Sequence, residues 1–432
     1  MDSSPDPNWD SRLAGLSPEA RQRLRERLVA RVQPATPPGG QLSFQQEQFW
    51  ILHHFSENPS DLNILYPVRL EGPLDPQTLR QALDKVALQA DTFRFRFQLS
   101  EERLQRTLSP ESRPEWEFHE AVPAGSETSG WLTQAMERLR KRPFLLERDC
   151  PFRAALFRMV DNQWALALVF HHIALDGVSF PLFWKLMSRH YRAVTEGIGL
   201  PPLPEPVQYA AYAMRQQKRM NPERMESSRR YWLNALKGSQ ARLNLPGVRP
   251  DPGPGKSALR QEALPNALRE AVRERSRQAV VTENTYYLAA YFSLLADRLQ
   301  QEDLCIGTPA TIKPDSADQE VIGCCISTLC LRQEISPGTP FRELLHAVRE
   351  NLLEALTHME YPMPRLASEL GRREASEREL FQTIFQYRNY WSSLENLGVC
   401  RARLLPERTV AGNFPLVLDV IEQPDCHLLS LI

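Results

Sequence analysis

The chain has 432 residues, 42% apolar and 24% charged, with a formal net charge of −1 at pH 7. That is enough chain for two lobes with sizeable cores, without the basic bias that draws a protein to nucleic acid or an anionic membrane. Seven cysteines, an odd number without framework spacing and without a CxxC pair, argue for a reducing compartment, no disulfide scaffold and no metal site. Residues 1–6 are acidic and polar, unlike a secretory leader, and no apolar run approaches the ~20 residues of a membrane span. The expectation is a cytoplasmic protein.

Leu16, Leu24, Leu28 and Val32 fall at helical spacing over residues 12–32, and Ser17-Pro18-Glu19 is a start signal. Arg21, Arg23, Arg25, Arg27 and Arg31 make this helix basic, a solvated face with Glu19 and Glu26 interspersed. Residues 33–40 are rich in proline and glycine and read as a linker, so the folded body begins near Leu42. Strands and helices then alternate to about residue 197. Residues 66–70 form a short strand, and Asp75-Pro76 starts a helix through Leu79, Leu83 and Val86. Residues 93–97, Phe-Arg-Phe-Arg-Phe, have the period-2 pattern of a half-buried strand, with Arg94 and Arg96 facing a cavity or solvent. Residues 152–160 and 164–172 make a hairpin around Asp161-Asn162. Two proline-rich stretches, 200–206 and 245–255, bracket helical segments near 209–217 and 228–236 and form the passage between lobes. The second half repeats the alternation: a helix over 282–299, strands at 304–306 and 328–332, a helix over 340–357, and strands at 381–387 and 416–421. The division expected is 1–40, helix and linker; 41–200, first lobe; 201–255, connection; 256–432, second lobe.

The chemistry concentrates at Val169-Phe170-His171-His172-Ile173-Ala174-Leu175-Asp176-Gly177. A buried strand ends in two histidines, an acid-glycine turn follows, and Ser179 and Pro181 begin a helix. Strand ends that meet helix N-termini keep polar chemistry, because backbone N–H groups point outward there. A histidine at such a place is either a satisfied core residue or a group free to exchange a proton near neutral pH. Asp176, four residues after His172, fixes the turn or orients an imidazole. There is no G-x-S-x-G elbow, Walker loop or GxGxxG, which disfavours a serine nucleophile and nucleotide cofactors. His53-His54 is a second pair without an acid-glycine turn, so doubling alone carries no function. His119, His190, His346 and His427 read as surface or packing residues.

His171-His172-x-x-x-Asp176-Gly177 resembles the signature of nonribosomal peptide synthetase condensation domains, within the chloramphenicol acetyltransferase-like superfamily. Further matches follow in family order: Leu42-Ser43-x-x-Gln46-x-x-Phe49-Trp50, with Gln48 at a usual arginine; Leu62-Asn63-Ile64; Leu70-x-Gly72-Pro73-Leu74-Asp75; and residues 91–97, which keep Arg94. Residues 208–213 resemble the lobe-linking motif, with Ala211 at a usual aspartate and Arg215 at a usual tryptophan. Tyr231-Trp232 through Leu245-Pro246, Gly307-Thr308-Pro309, Ile322-Gly323 through Arg332, His358 to Pro362 and Leu380-Phe381-Gln382 complete the series, with Cys325 at a usual aromatic and Ser327 at a usual asparagine. The resemblance covers roughly residues 42–432.

It implies an α/β protein of two chloramphenicol acetyltransferase-like lobes in a V-shaped pseudo-dimer, with the histidine motif in a central tunnel. It implies no bound cofactor. Donor and acceptor carrier proteins would present thioesters on 4′-phosphopantetheine arms, beside synthetase domains such as adenylation domains, and the product is an amide. His172 is assigned the proton, the Gly177 N–H the oxyanion, and Asp176 and His171 the turn. Arg94, as a partner of Asp176, and Ser179 and Ser327 are candidates for the tunnel or its support. An epimerisation domain and a heterocyclising variant fit less well, the first for want of its second-lobe signatures, the second because it carries aspartate where His171 stands. A free-standing acyl-CoA-dependent acyltransferase and a degenerate domain that only recruits partners are the alternatives. Residues 413–416 depart from the usual pattern and hint at a specialised subtype. The chain stops within an apolar strand where relatives continue with a helix, as expected of a piece of a longer synthetase or a chain lacking a terminal segment.

Overall fold

The computed structural model describes residues 15–30, 40–56, 58–100, 103–120, 128–160, 162–200, 202, 204, 207–245, 258–371, 380–389, 394–405, 414–423 and 426–432. Linker residues 33–39, most of both proline-rich stretches, Asp161 and Asn413 lie outside them. The chain divides into two units: residues 1–219 with Lys313–Cys325 and Ser393–Arg408, and the remainder.

In the first unit, α1 (Pro18–Ala30) starts at the expected signal, the Ser17 hydroxyl accepting from Ala20 N–H. It packs on α2 (Phe44–Phe55), where Arg21 donates to the carbonyl of His54 at 2.7 Å, one of the orphan acceptors of the helix end. Helix α2 begins with a full capping box, Ser43 and Gln46 bonding each other's backbone N–H. Strand β1 (Asn63–Glu71) leads to α3 (Pro76–Gln89), whose first N–H groups are taken by the Asp75 carboxylate. The expected strand over 93–97 is shorter than the pattern suggested. Residues 91–94 form a 3₁₀ turn and β2 runs from Phe95 to Ser100, paired with β3 (Arg103–Leu108). Arg96 is buried rather than solvated, donating to Phe95 O and Ser112 Oγ at 2.9 Å each. Then come β4 (Glu115–His119), α4 (Thr128–Lys141), β5 (Phe152–Val160), β6 (Gln163–His171), α5 (Phe180–Glu196) and α6 (Tyr209–Arg219). β5 and β6 form the expected hairpin, with Asn162 at φ 56° in its turn.

The second unit runs through α7 (Pro222–Ala235), β7 (Arg260–Ala263), α8 (Asn266–Gln278), α9 (Glu283–Leu299), β8 (Asp303–Thr311), β9 (Ile326–Glu334), α10 (Phe341–Thr357), α11 (Met363–Glu369) and β10 (Thr383–Arg388). Strand β11 (Arg401–Leu404) belongs to the first unit, and β12 (Leu416–Glu422) and β13 (His427–Leu431) close the second. Its six-stranded sheet has the order β7-β13-β12-β10-β8-β9, with β10 parallel to both β8 and β12. Gly307 lets β8 approach Phe381: a Cβ there would stand 2.3 Å from the ring.

The first unit's sheet has the order β11-β1-β6-β5-β4. β6 is its central strand, which is why residues 164–170 read as a continuous apolar run: every one is buried. Phe93, Phe152, Phe170, Phe180 and Phe183 interlock edge-to-face and stacked where α5 lies on the sheet, and Tyr66 stacks on Phe180 at 3.8 Å. This core holds the end of β6, and with it the two histidines. Among the described residues no helix is long and apolar enough to cross a membrane.

Candidate active site

His171 is the last residue of β6, paired with Asn63 of β1, and is fully buried. Its Nδ1 accepts the backbone N–H of Ile173 at 3.1 Å, so the ring proton sits on Nε2 and is directed at His53 Nδ1, 3.1 Å away. Both nitrogens are spent. Burial, with the histidines around it, drives His171 well below the ordinary imidazole range, and burial with His54 lowers His53 to about 3. His53, dismissed on sequence as part of an uninformative pair, therefore supports the motif from α2. A helical face carrying Gln46, Phe49, Trp50 and His53 at spacings of three and four was the available signal.

His172 is held differently. The residue is half-buried, and its ring lies flat on Phe49, centroids 4.4 Å apart at 12°. Nδ1 faces Cys324 Sγ at 3.9 Å, and among the described residues Nε2 has no partner. Burial lowers its pKa below the ordinary histidine value, opposed by the Asp176 charge and by the carbonyls of His172 and Leu175 beside the ring. At neutral pH the imidazole is uncharged, with Nε2 able to take a proton.

Asp176, fully buried, is held by backbone alone. Oδ1 accepts from Ser179 N–H and Oδ2 from Cys325 N–H, both at 2.7 Å. It makes no ion pair with Arg94 among the described residues. Arg94 lies in the 3₁₀ turn on the side of Asp91, whose carboxylate accepts Tyr209 N–H and Ala210 N–H and so caps α6. From the same turn Thr92 donates to Ala174 O at 3.1 Å. Ser179 is the N-cap of α5, yet its hydroxyl donates to Gly323 O instead of capping the helix. Gly177 precedes α5 by three residues, and among the described residues no group accepts from its N–H. Ser327 sits in β9 of the second unit, buried. His427, read as packing, is in the same unit between Tyr287 Oη at 2.9 Å and Glu283 at 3.8 Å, a polar cluster that sequence spacing did not show.

Cys324 and Cys325 belong to residues 313–325, which lie in the first unit although β8 and β9 flank them. Gly323 packs on Tyr209, where a Cβ would stand 1.9 Å from the ring, and Tyr209 Oη donates to Cys324 O and bonds Ser43 Oγ at 2.7 Å. Sequence reasoning noted Cys325 as half of an adjacent cysteine pair without metal-site spacing and as a departure from an aromatic. Its contribution is a backbone N–H, which leaves no trace in residue type.

The condensation domain family model matches residues 40–403. The chain belongs to the condensation domain family. This condensation domain is 30% identical over 404 residues to one of the linear gramicidin synthase proteins of Brevibacillus parabrevis, covering 90% of the chain but 8% of that protein. It is 28% identical to phosphinothricin tripeptide synthetase PhsC of Streptomyces viridochromogenes, covering 87% of the chain and 36% of the relative. The chain thus spans a minor part of these multidomain synthetases. Among solved structures, the X-domain from teicoplanin biosynthesis superposes with a TM-score of 0.79 at 22% identity, covering 93% of this chain and 91% of that one. The first condensation domain of the calcium-dependent antibiotic synthetase gives 0.76 at 20%, covering 90% of each. These place the fold among nonribosomal peptide synthetase condensation domains, a family whose chemistry is amide formation.

Proposed function

We propose that this condensation domain transfers a donor acyl or peptidyl group from its thioester to the amine of an acceptor aminoacyl thioester, both borne on the phosphopantetheine arms of carrier proteins. The C–S bond of the donor breaks, the C–N bond forms, and the donor thiol leaves with a proton. Such a domain works in the cytoplasm among the carrier and adenylation domains of a synthetase. The observation that carries the reading is the contrast between the histidines: His171 has both nitrogens engaged, whereas His172 is neutral, partly exposed and open at Nε2.

The acceptor amine must be uncharged to attack, and the adduct must lose a proton. His172 Nε2 receives it. A base in that role contributes about 10²–10⁴ in rate, so positioning alone leaves residual turnover in its absence. The Gly177 N–H donates to the oxyanion of the tetrahedral adduct. Asp176 keeps the turn closed from both sides and leans on the His172 ring as a fixed negative charge. The test combines the chain with loaded donor and acceptor carriers and follows the condensed product by mass spectrometry. Product from the wild type and a 10²-fold or greater loss in His172→Ala supports the reading. Undiminished product from His172→Ala removes the base, and carrier binding without product from the wild type favours a recruiting domain.

A further inference from the structure

We propose that Arg215 is a positioning residue of this site, its ion pair with Asp318 seating residues 313–325 against His172 and Asp176. The inference rests on the reading of His172 as the proton acceptor. Asp318 is fully buried in a short 3₁₀ turn. A carboxylate there needs a close cation or several donors, since an unpaired buried charge is costly. Arg215 supplies a fork: Nε stands 2.9 Å from Asp318 Oδ1 and Nη2 bonds the same oxygen. Arg219, one turn on, reaches Asp315 Oδ2 at 2.8 Å and Asp318 Oδ2 at a looser 3.4 Å. Within the segment, Lys313 donates to Val321 O at 2.9 Å and Gln319 returns a bond to Lys313 O. The fold inside it is therefore tied, and what anchors it to α6 at this end is the arginine pair.

The other end meets the site. Gly323 O takes the Ser179 hydroxyl, Cys324 O takes the Tyr209 hydroxyl, and Cys325 N–H is one of the two donors to Asp176. Cys324 Sγ stands 3.9 Å from His172 Nδ1. Tyr209 and Arg215 lie on one helix, so α6 grips both ends of the segment. Where the resembling motif carries tryptophan, this chain carries an arginine, and its length and fork are what a buried Asp318 requires.

The test uses the full chain and two readouts. Iodoacetamide labelling, mapped by fragmentation mass spectrometry, reports whether buried Cys324 stays covered; kcat and KM for loaded carriers report the site. Arg215→Ala and the milder Asp318→Asn are expected to speed Cys324 labelling at least about tenfold and to lower kcat by about ten- to a hundredfold, with KM within about twofold. Arg215→Lys, which keeps the charge and loses the fork, restores only part of each. Arg332→Ala, which removes a comparable bidentate pair with Asp303 in the second unit, changes neither beyond its effect on the melting temperature. Cys324 labelling as slow as wild type in folded Arg215→Ala overturns the seating, and fast labelling with unchanged kcat overturns the positioning. A wild type that condenses no carrier pair counts against the proposed function, while the labelling still decides the seat.

Discussion

Two side chains on α2, two residues apart, show how differently the same helix treats them. Phe49 lies flat on the His172 ring, holding one of its faces and part of its desolvation. Phe49→Ala is expected to raise the His172 pKa toward the ordinary 6.5 and lower the condensation rate several-fold; an unchanged titration of His172 by NMR would refute the stack's role. Glu47 is pushed up to about 8 by burial. A raised acid pKa means the fold binds a proton that the unfolded chain releases, so this group's penalty is absent below about 4.5 and grows as pH rises toward 8. Glu47→Gln should therefore be more stable than wild type to urea at pH 8 and equal to it near pH 4.5; the same difference at both values would contradict the assignment. Neither effect is legible in sequence. Phe49 stood inside a recognised motif, but a motif names a residue type, and stacking or desolvation depends on what folds over it.

Helix α6 is the element that gathers the site. Gln216 accepts from Phe44 N–H and donates to Gln45, holding the start of α2, while Tyr209 joins Ser43 to Cys324 O. Tyr209→Phe leaves the Cys324 carbonyl buried without its donor and is expected to cost about 1–3 kcal/mol. Gly323→Ala forces a methyl onto the Tyr209 ring and is expected to cost about as much again through overpacking; chemical denaturation of both variants checks the pair, and two wild-type curves would refute the packing. The starts of α3, α5, α9 and α10 were legible because their signals are local: Asp75, Pro181, Thr282 and Pro340 act within one turn. The strand over 93–97 was misread because alternation cannot tell a strand from a 3₁₀ turn followed by one, and whether Arg96 met a cavity or solvent stayed open until Ser112 and the Phe95 carbonyl were seen to hold it.

At the scale of the whole chain, the first unit is not continuous in sequence. Residues 313–325 supply a donor to Asp176, and β11 pairs with β1, anchored where Trp184 donates to Glu395 O and Ser188 to Asn396 O. A fragment ending at residue 219 exposes the β1 edge and leaves Asp176 half-satisfied. It is expected to aggregate or to give poorly dispersed NMR spectra; a cooperative thermal transition would refute this. Acid stability is also collective. His53, lowered to about 3, His190, lowered to about 4, and His171 are neutral in the fold but protonate near 6.5 when unfolded. Stability is then full above about pH 6.5 and falls as pH drops, by about 1.4 kcal/mol per pH unit for each. Urea unfolding at pH 7 and pH 5 should show it, and His53→Gln should flatten the slope; a slope that His53→Gln leaves unaltered would contradict His53's part.

By itself the sequence determined the alternating α/β elements, the central buried strand ending in His171-His172, and the family, because burial periodicity, caps and contiguous motifs are written in neighbouring residues. Tertiary structure alone decided which histidine is free. That depends on the Ile173 N–H and on His53 from another helix, and on backbone donors from residue 325 reaching Asp176. Backbone groups are the same in every residue, and contacts across 118 or 149 positions carry no spacing to read.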